Sequence, residues 1–155
     1  AGGAARSIVA ALLDAGVPRV RLVNRTADRA ERLASDLGAA GPGEIEILAW
    51  TDRDQGLADA GLLINATSLG MAGNPGLTLS LDLLPEAAAV VDIVYNPLET
   101  ALLAAARARG SPVVDGLGML LHQARPAFAA WFGIDPEVTE AQRMFVMAGL
   151  TGADR

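Results

Sequence analysis

Along this chain, runs of β-branched and aliphatic residues alternate with alanine- and leucine-rich helical segments, and a few polar or glycine residues make each change-over. That alternation restricts the fold more than any other feature. Strand, helix, strand with short joints buries both strand faces only in a parallel sheet covered by helices. Residues 6–15 place Ile8, Val9, Leu12 and Leu13 at helical spacing, Gly16 stops that helix and Pro18 bars its return. Residues 19–24 alternate as a strand, Thr26 stands as the cap of a helix running to Leu37, and 38–43 is a loop. A strand follows over 44–48, then one or two helical turns within 52–60, an apolar strand over 62–65, a loop over 66–80 and a turn at 81–84. The continuous apolar run 88–94 reads as a strand buried on both faces, ahead of a helix over 99–109 and a short strand at 112–114. Residues 117–149 read as two helices broken between Gly133 and Pro136. The expected class is α/β, a doubly wound, mostly parallel sheet with flanking helices. Such a sheet opens on a strand, yet this sequence opens on Ala1-Gly2-Gly3 and a helix, so its first strand is expected to be missing from the chain.

Composition narrows the function classes. The hydrophobic fraction of 52% with only 4% aromatics means a core of Ala, Leu, Val and Ile, suited to close helix-on-sheet packing. The net charge of −6, without a basic stripe, argues against a nucleic-acid partner. The absence of cysteine excludes disulfides and thiolate chemistry. No His, Asp or Glu cluster has metal-ligand spacing. Apolar runs such as 86–94 are too short for a bilayer, and no leader pattern opens the sequence, so a soluble, cytoplasmic domain with no membrane partner is expected. All 12 basic residues are arginine.

The glycine-rich opening carries chemistry. With one glycine ahead of Ala1, residues 1–5 would complete G-x-G-x-x-A, the dinucleotide fingerprint of Rossmann-like sheets. Gly2 would then let the backbone approach a pyrophosphate, Ala5 would let helix and strand pack closely, and the helix N-terminus would offer free N–H groups. The other reading is a flexible lead-in to a helix. The next strand ends at Asn24-Arg25-Thr26, with Arg29 one turn on. An acidic residue there would favour NAD. Arg25 can instead clamp a 2′-phosphate with its planar fork, Thr26 can add a hydroxyl and Arg29 a second charge, so the cofactor read is NADP. Solvated arginines at the start of a helix remain the alternative.

Three further clusters stand where strand ends meet loops, where open parallel sheets bind ligands. They are residues 65–71 (NATSLGM), 92–97 (DIVYNP), and 115–120 (DGLGML) with Gln123. Taken in order, A-G-G-A-A-R, N-R-T, N-A-T-S-x-G-M, D-x-x-Y-N-P-x-x-T and D-G-x-x-M-L-x-x-Q resemble the shikimate dehydrogenases over residues 1 to about 149. The resemblance implies a two-domain enzyme reducing 3-dehydroshikimate to shikimate with NADPH, within aromatic amino-acid biosynthesis. It implies that Ala1, Gly2, Gly3 and Ala4 hold the pyrophosphate and that Asn24, Arg25, Thr26 and Arg29 hold the 2′-phosphate. Asn65, Ala66 and Thr67 would line the cofactor path, Ile93 and Gly116 would lie beside the nicotinamide, and Tyr95 and Gln123 would reach the substrate. The residue chemistry agrees: a polyhydroxylated carboxylate needs neutral hydrogen-bonding groups, Gly116 lets backbone approach the ring, and Met119 offers a soft apolar surface. Other readings stay open. Tyr95 can be a core aromatic capping a strand, Gln123 a solvated helix residue, and Met71 and Met119 plain core. Asp92 and Asp115 are read as caps or turn formers. His122 adjoins Gln123 on a helix and so faces elsewhere; it is not assigned to catalysis.

The family's catalytic lysine and its aspartate partner lie ahead of the glycine-rich loop, and this chain has no lysine, so no catalytic residue is assigned within it. The upstream residues are expected to exist outside this sequence, because a parallel sheet without its central strand would expose two long edges. Residues 1–134 are then the NADP-binding domain. Residues 135–155 form a C-terminal helix whose stripe of Met144, Phe145, Met147 and Ala148 is expected to pack on the missing substrate domain. Three alternatives stand beside this: a quinate/shikimate paralogue, a catalytically inactive dinucleotide-binding module, and a glutamyl-tRNA reductase-like cofactor domain. The last shares N-R-T but is disfavoured by the Asp115–Gln123 cluster. Oligomeric state is open, a homodimer included.

Overall fold

The computed structural model describes residues 2–38 and 43–152 and divides into two compact units, residues up to 60 with 79–85, and residues 61–78 with 86 onward. Ala1 and most of the loop expected over 38–43 lie outside the described residues. Every strand pairing in both units is parallel.

In the first unit, helix α1 (Gly3–Asp14) buries Ala5, Val9 and Leu13, one residue per turn along a single stripe. It ends where Gly16 takes a left-handed φ of 79° and its N–H reaches the Leu13 carbonyl. Strand β1 (Arg19–Val23) pairs with β2 (Glu44–Leu48), and helix α2 (Ala27–Leu37) connects them, burying Ala30 and Leu33. Arg21 and Glu46 are partners in the register and meet at 3.1 Å. The same guanidinium also donates to the Gly56 and Ala58 carbonyls and to Asp59, which ties the segment after β2 to the strand. That segment was expected to make one or two helical turns; it makes two short 3₁₀ turns, Trp50–Asp52 and Gln55–Leu57. Arg21 is held above its ordinary pKa, chiefly by its bond to Asp59 and then by that to Glu46.

The second unit has three strands in the order β3 (Leu62–Asn65), β4 (Ala89–Asp92), β5 (Val113–Val114). Helix α3 (Ala101–Ala108) lies between β4 and β5 in sequence, and α4 (Gly116–Phe132) and α5 (Glu140–Gly152) follow. Central strand β4 is the most buried, with Val90 and Asp92 sealed from solvent. It stops at Asp92, two residues short of the expected Val94. The reason is local: the Val94 N–H is taken by the Asp92 side chain, and the Val94 carbonyl accepts from Gly116. Likewise α3 begins at Ala101 instead of Glu99, because Thr100 caps it by accepting from Leu103 N. The expected break falls at Gly133, whose φ of 68° ends α4. No described helix is long and apolar enough to cross a membrane.

Candidate cofactor-binding site

Of the first unit's assigned residues, Gly2, Gly3 and Ala4 open α1 and are all exposed. Gly2 is the N-cap, and no side chain caps the helix. A Cβ built on Gly2 or Gly3 would meet nothing within 4 Å, so the protein's own packing does not require glycine here. Bare backbone is what a close external ligand requires. The uncapped first turn carries the partial positive charge and free N–H groups that bind phosphates.

At the end of β1, the Asn24 amide donates to the Thr26 carbonyl at 2.7 Å and shapes the turn into α2. Thr26 is the N-cap by backbone position, but its hydroxyl makes no cap bond, contrary to the expected side-chain cap. Arg25 and Arg29 are exposed, and neither guanidinium has a partner among the described residues. Most other arginines are committed: Arg6 to Asp36, Arg19 and Arg21 to Asp59, Arg107 to Glu99, Arg125 to Asp135 and Arg143 to Asp115. An uncapped helix start and two unpaired guanidinium groups fit a ligand with a pyrophosphate and a further phosphate. NADP is such a ligand.

In the second unit the assigned residues gather at the carboxyl ends of the strands. Asn65, at the end of β3, accepts from both the backbone N–H and the hydroxyl of Thr67 and donates to Asp92 at 3.0 Å. Ala66 is half-buried in the same turn. Gly116 is buried, and its missing Cβ is occupied by the chain itself: a methyl would stand 2.3 Å from the Ile93 carbonyl oxygen and 2.5 Å from that of Val94. This internal contact with Ile93 and Val94 by itself requires glycine at the position. Asp115 caps α4 by accepting from Leu117 N at 3.0 Å, and its other oxygen takes the Arg143 guanidinium of α5. That bond holds Arg143 above its ordinary pKa.

Tyr95 is half-buried, Gln123 is exposed on the second turn of α4, and neither side chain has a described hydrogen-bond partner. Both are therefore free to meet a ligand. His122 is exposed beside Gln123. Thr100, the last letter of D-x-x-Y-N-P-x-x-T, is buried and bonded to Asp92, which no local pattern around it signals. Arg143 carried no local signal, because its partner lies 28 residues away. Among the described residues, no group of three or more His, Cys, Asp or Glu could hold a metal ion.

Residues 1–72 match the family model described as shikimate / quinate 5-dehydrogenase, and residues 116–141 match that of the shikimate 5′-dehydrogenase C-terminal domain. The chain is 55% identical over 148 residues to a shikimate dehydrogenase (NADP(+)) of Paramagnetospirillum magneticum, covering 96% of this chain and 52% of that one. It is 57% identical over 152 residues to the protein of the same name in Methylobacterium radiotolerans, covering 98% of this chain and 52% of that one. Among solved structures, it resembles a quinate dehydrogenase from Corynebacterium glutamicum in complex with NAD, with a TM-score of 0.85 at 32% identity, covering 94% of this chain and 52% of that one. It also resembles shikimate 5-dehydrogenase from Thermus thermophilus in complex with NADP(H) and shikimate, with a TM-score of 0.75 at 34% identity, covering 96% and 52%. The chain thus spans about half the length of the curated relatives it matches.

Proposed function

Since this chain belongs to the shikimate dehydrogenase family, we propose that it is the NADP-binding portion of an enzyme interconverting 3-dehydroshikimate and shikimate. The observation that carries this reading is the pair Arg25 and Arg29, exposed and unpaired just past β1 in a chain whose other arginines are mostly bound to carboxylates. Arg25 supplies a planar fork to the 2′-phosphate and Arg29 a second charge. Asn24 and Thr26 shape and line that turn. The N–H groups opening α1, at Gly2, Gly3 and Ala4 with Ala1 ahead of them, bind the pyrophosphate.

When bound, the nicotinamide supplies or accepts the hydride. Asn65, Ala66 and Thr67 line its path, and Ile93 and Gly116 border the ring. The Tyr95 hydroxyl and the Gln123 amide orient the substrate's oxygens, each having its hydrogen-bonding capacity to spare. The proton needed at the ketone oxygen comes, in this reading, from the lysine and aspartate that the family carries ahead of the glycine-rich loop. Residues 1–134 act as the cofactor domain. Residues 135–155 cover the upstream substrate domain, a role supported by the exposure of Met144 (52%) and Phe145 (81%). The same reading assigns the whole protein to the shikimate pathway in the cytoplasm.

A quinate-oxidising relative using NAD is the second reading, favoured by the similarity to the quinate dehydrogenase structure. One titration separates the two. The full-length protein is titrated with NADPH and NADH by nicotinamide fluorescence, as wild type and as Arg25→Ala. The expected result is an NADPH preference that falls by about 10–100-fold in the variant, the value of one or two charge-assisted hydrogen bonds. Equal affinities in the wild type would remove the NADP assignment, and faster oxidation of quinate than of shikimate would select the second reading.

A further inference from the structure

We propose that Asp92 is the positioning residue of this site, a buried brace that fixes the Asn65–Leu69 turn and the Ile93–Tyr95 exit of β4 as one body. What those two segments hold rests on the function proposed above; the brace itself rests on geometry. Asn65, Asp92 and Thr100 are 3%, 0% and 2% exposed. Polar groups so deep must pair with one another, and here the pairing has only one consistent direction.

The chain of donors starts in α3. Leu103 N–H donates to the Thr100 hydroxyl, so the hydroxyl proton is free to go to Asp92 Oδ2, at 2.8 Å. Asp92 Oδ1 accepts from Val94 N and from Asn65 Nδ2, both at 3.0 Å. The second proton on Asn65 Nδ2 goes to the Leu69 carbonyl at 3.1 Å. Asn65 Oδ1 then accepts from Thr67 N at 3.1 Å and from the Thr67 hydroxyl at 2.8 Å, while that hydroxyl accepts from Leu69 N at 3.0 Å. Both polar atoms of the Asn65 amide are used twice, so reversing the amide would set donors against donors.

The consequence is mechanical. One carboxyl group receives three donors from three segments: the start of α3, the end of β3 and the exit of β4. Thr67 cannot shift without breaking a bond to Asn65, the direct partner of Asp92, and Val94, the residue before Tyr95, cannot shift without breaking its bond to Asp92. Asp92 thus acts through other residues, setting the cofactor-facing turn and the substrate-facing tyrosine in a common register. The motifs N-A-T and D-x-x-Y-N-P-x-x-T are in this view a single structural unit, joined between Asn65, Asp92 and Thr100.

The test uses the full-length protein carrying Thr100→Val, Thr100→Ser or Asp92→Asn. Amide hydrogen exchange is followed residue by residue, and kcat and KM for shikimate oxidation are measured on the same preparations. Thr100→Val keeps the side-chain shape and removes the hydroxyl. It should accelerate exchange at Thr67, Leu69 and Val94 by about tenfold or more while the strand amides of Val90 and Val91 stay protected. It should lower kcat by about tenfold or more, as expected of misplaced reacting groups, with KM for the nucleotide changed less than about threefold because α1 and Arg25 hold most of it. Thr100→Ser should restore both readouts. Acceleration confined to Leu103 and Ala104, or a kcat for Thr100→Val within about twofold of wild type, would overturn the proposal. Should Thr100→Val fail to fold, Asp92→Asn decides by the same readouts, since it keeps the volume and removes the acceptor that Thr100 uses. A wild-type protein that does not oxidise shikimate would sink the functional reading, and the exchange pattern would still decide the brace.

Discussion

Gly116→Ala adds one methyl group at the most crowded glycine of the second unit. The new carbon would lie 2.3 Å from Ile93 O, 2.5 Å from Ile93 C and 2.5 Å from Val94 O. Comfortable contacts of this kind begin at about 3.5 Å, so the exit of β4 or the start of α4 must move by about 1 Å. The obstructing atoms are backbone and cannot rotate away. Overpacking of this kind costs about 1–3 kcal/mol, and rigid neighbours put this case near the upper end. Replacing glycine in a helix returns at most about 1 kcal/mol, and less in a first turn. The net loss is then about 2–3 kcal/mol, or a fall in Tm of roughly 4–12 °C for a protein of 150–250 residues. Gly118→Ala is the matched control: it lies in the same turn of α4, and its Cβ would meet nothing within 4 Å. It should leave stability unchanged or raise it by up to about 1 kcal/mol. Thermal and urea unfolding of both variants, without nucleotide, make the comparison. If Gly116→Ala unfolds together with Gly118→Ala, the close approach of α4 to Ile93 is not what fixes that glycine.

Asp59→Asn should remove an acid-sensitive contribution to stability. Arg21 above all holds the Asp59 carboxyl below its ordinary 3.8, so the contribution is present above that pH and lost as pH falls through the lower, folded-state value. Asparagine tolerates the φ of 61° at this position, so the difference from wild type in urea midpoint should be seen at neutral pH and vanish in acid; a difference that persists in acid would point to backbone strain instead. Arg143→Gln should cost about 1 kcal/mol or less, because its bond to Asp115 is partly exposed. That loss should shrink as salt is raised in parallel urea titrations, and a loss independent of salt would mean that Arg143 acts through packing.

What the sequence disclosed, and what it withheld, follows from the range of the interactions. The positions of Gly2 and Gly3 at a helix start and of Arg25 and Arg29 just past a strand end were legible because local sequence defines them. The strands over 44–48 and 62–65 fell at their expected limits because their apolar runs end at polar residues or loops. The end of β4 was misread because the bond that stops it comes from the Asp92 side chain, and a run of valines carries no sign of that. The internal contact of Gly116 with Ile93, 23 positions earlier, leaves no mark in the sequence. Thr100 and Arg143 gain their meaning from Asp92 and Asp115, which periodicity cannot link to them.

The cations in the described ion pairs are all guanidinium groups, and the chain contains no lysine. Amine-directed acylating reagents and cross-linkers therefore find no side-chain amine anywhere in residues 1–155. In a longer protein that carries these residues, any side-chain amine that such a reagent modifies must lie outside them. In a longer protein, chemical labelling can thus mark lysines elsewhere while leaving the side chains of this segment untouched, with no engineered site needed to tell the two apart.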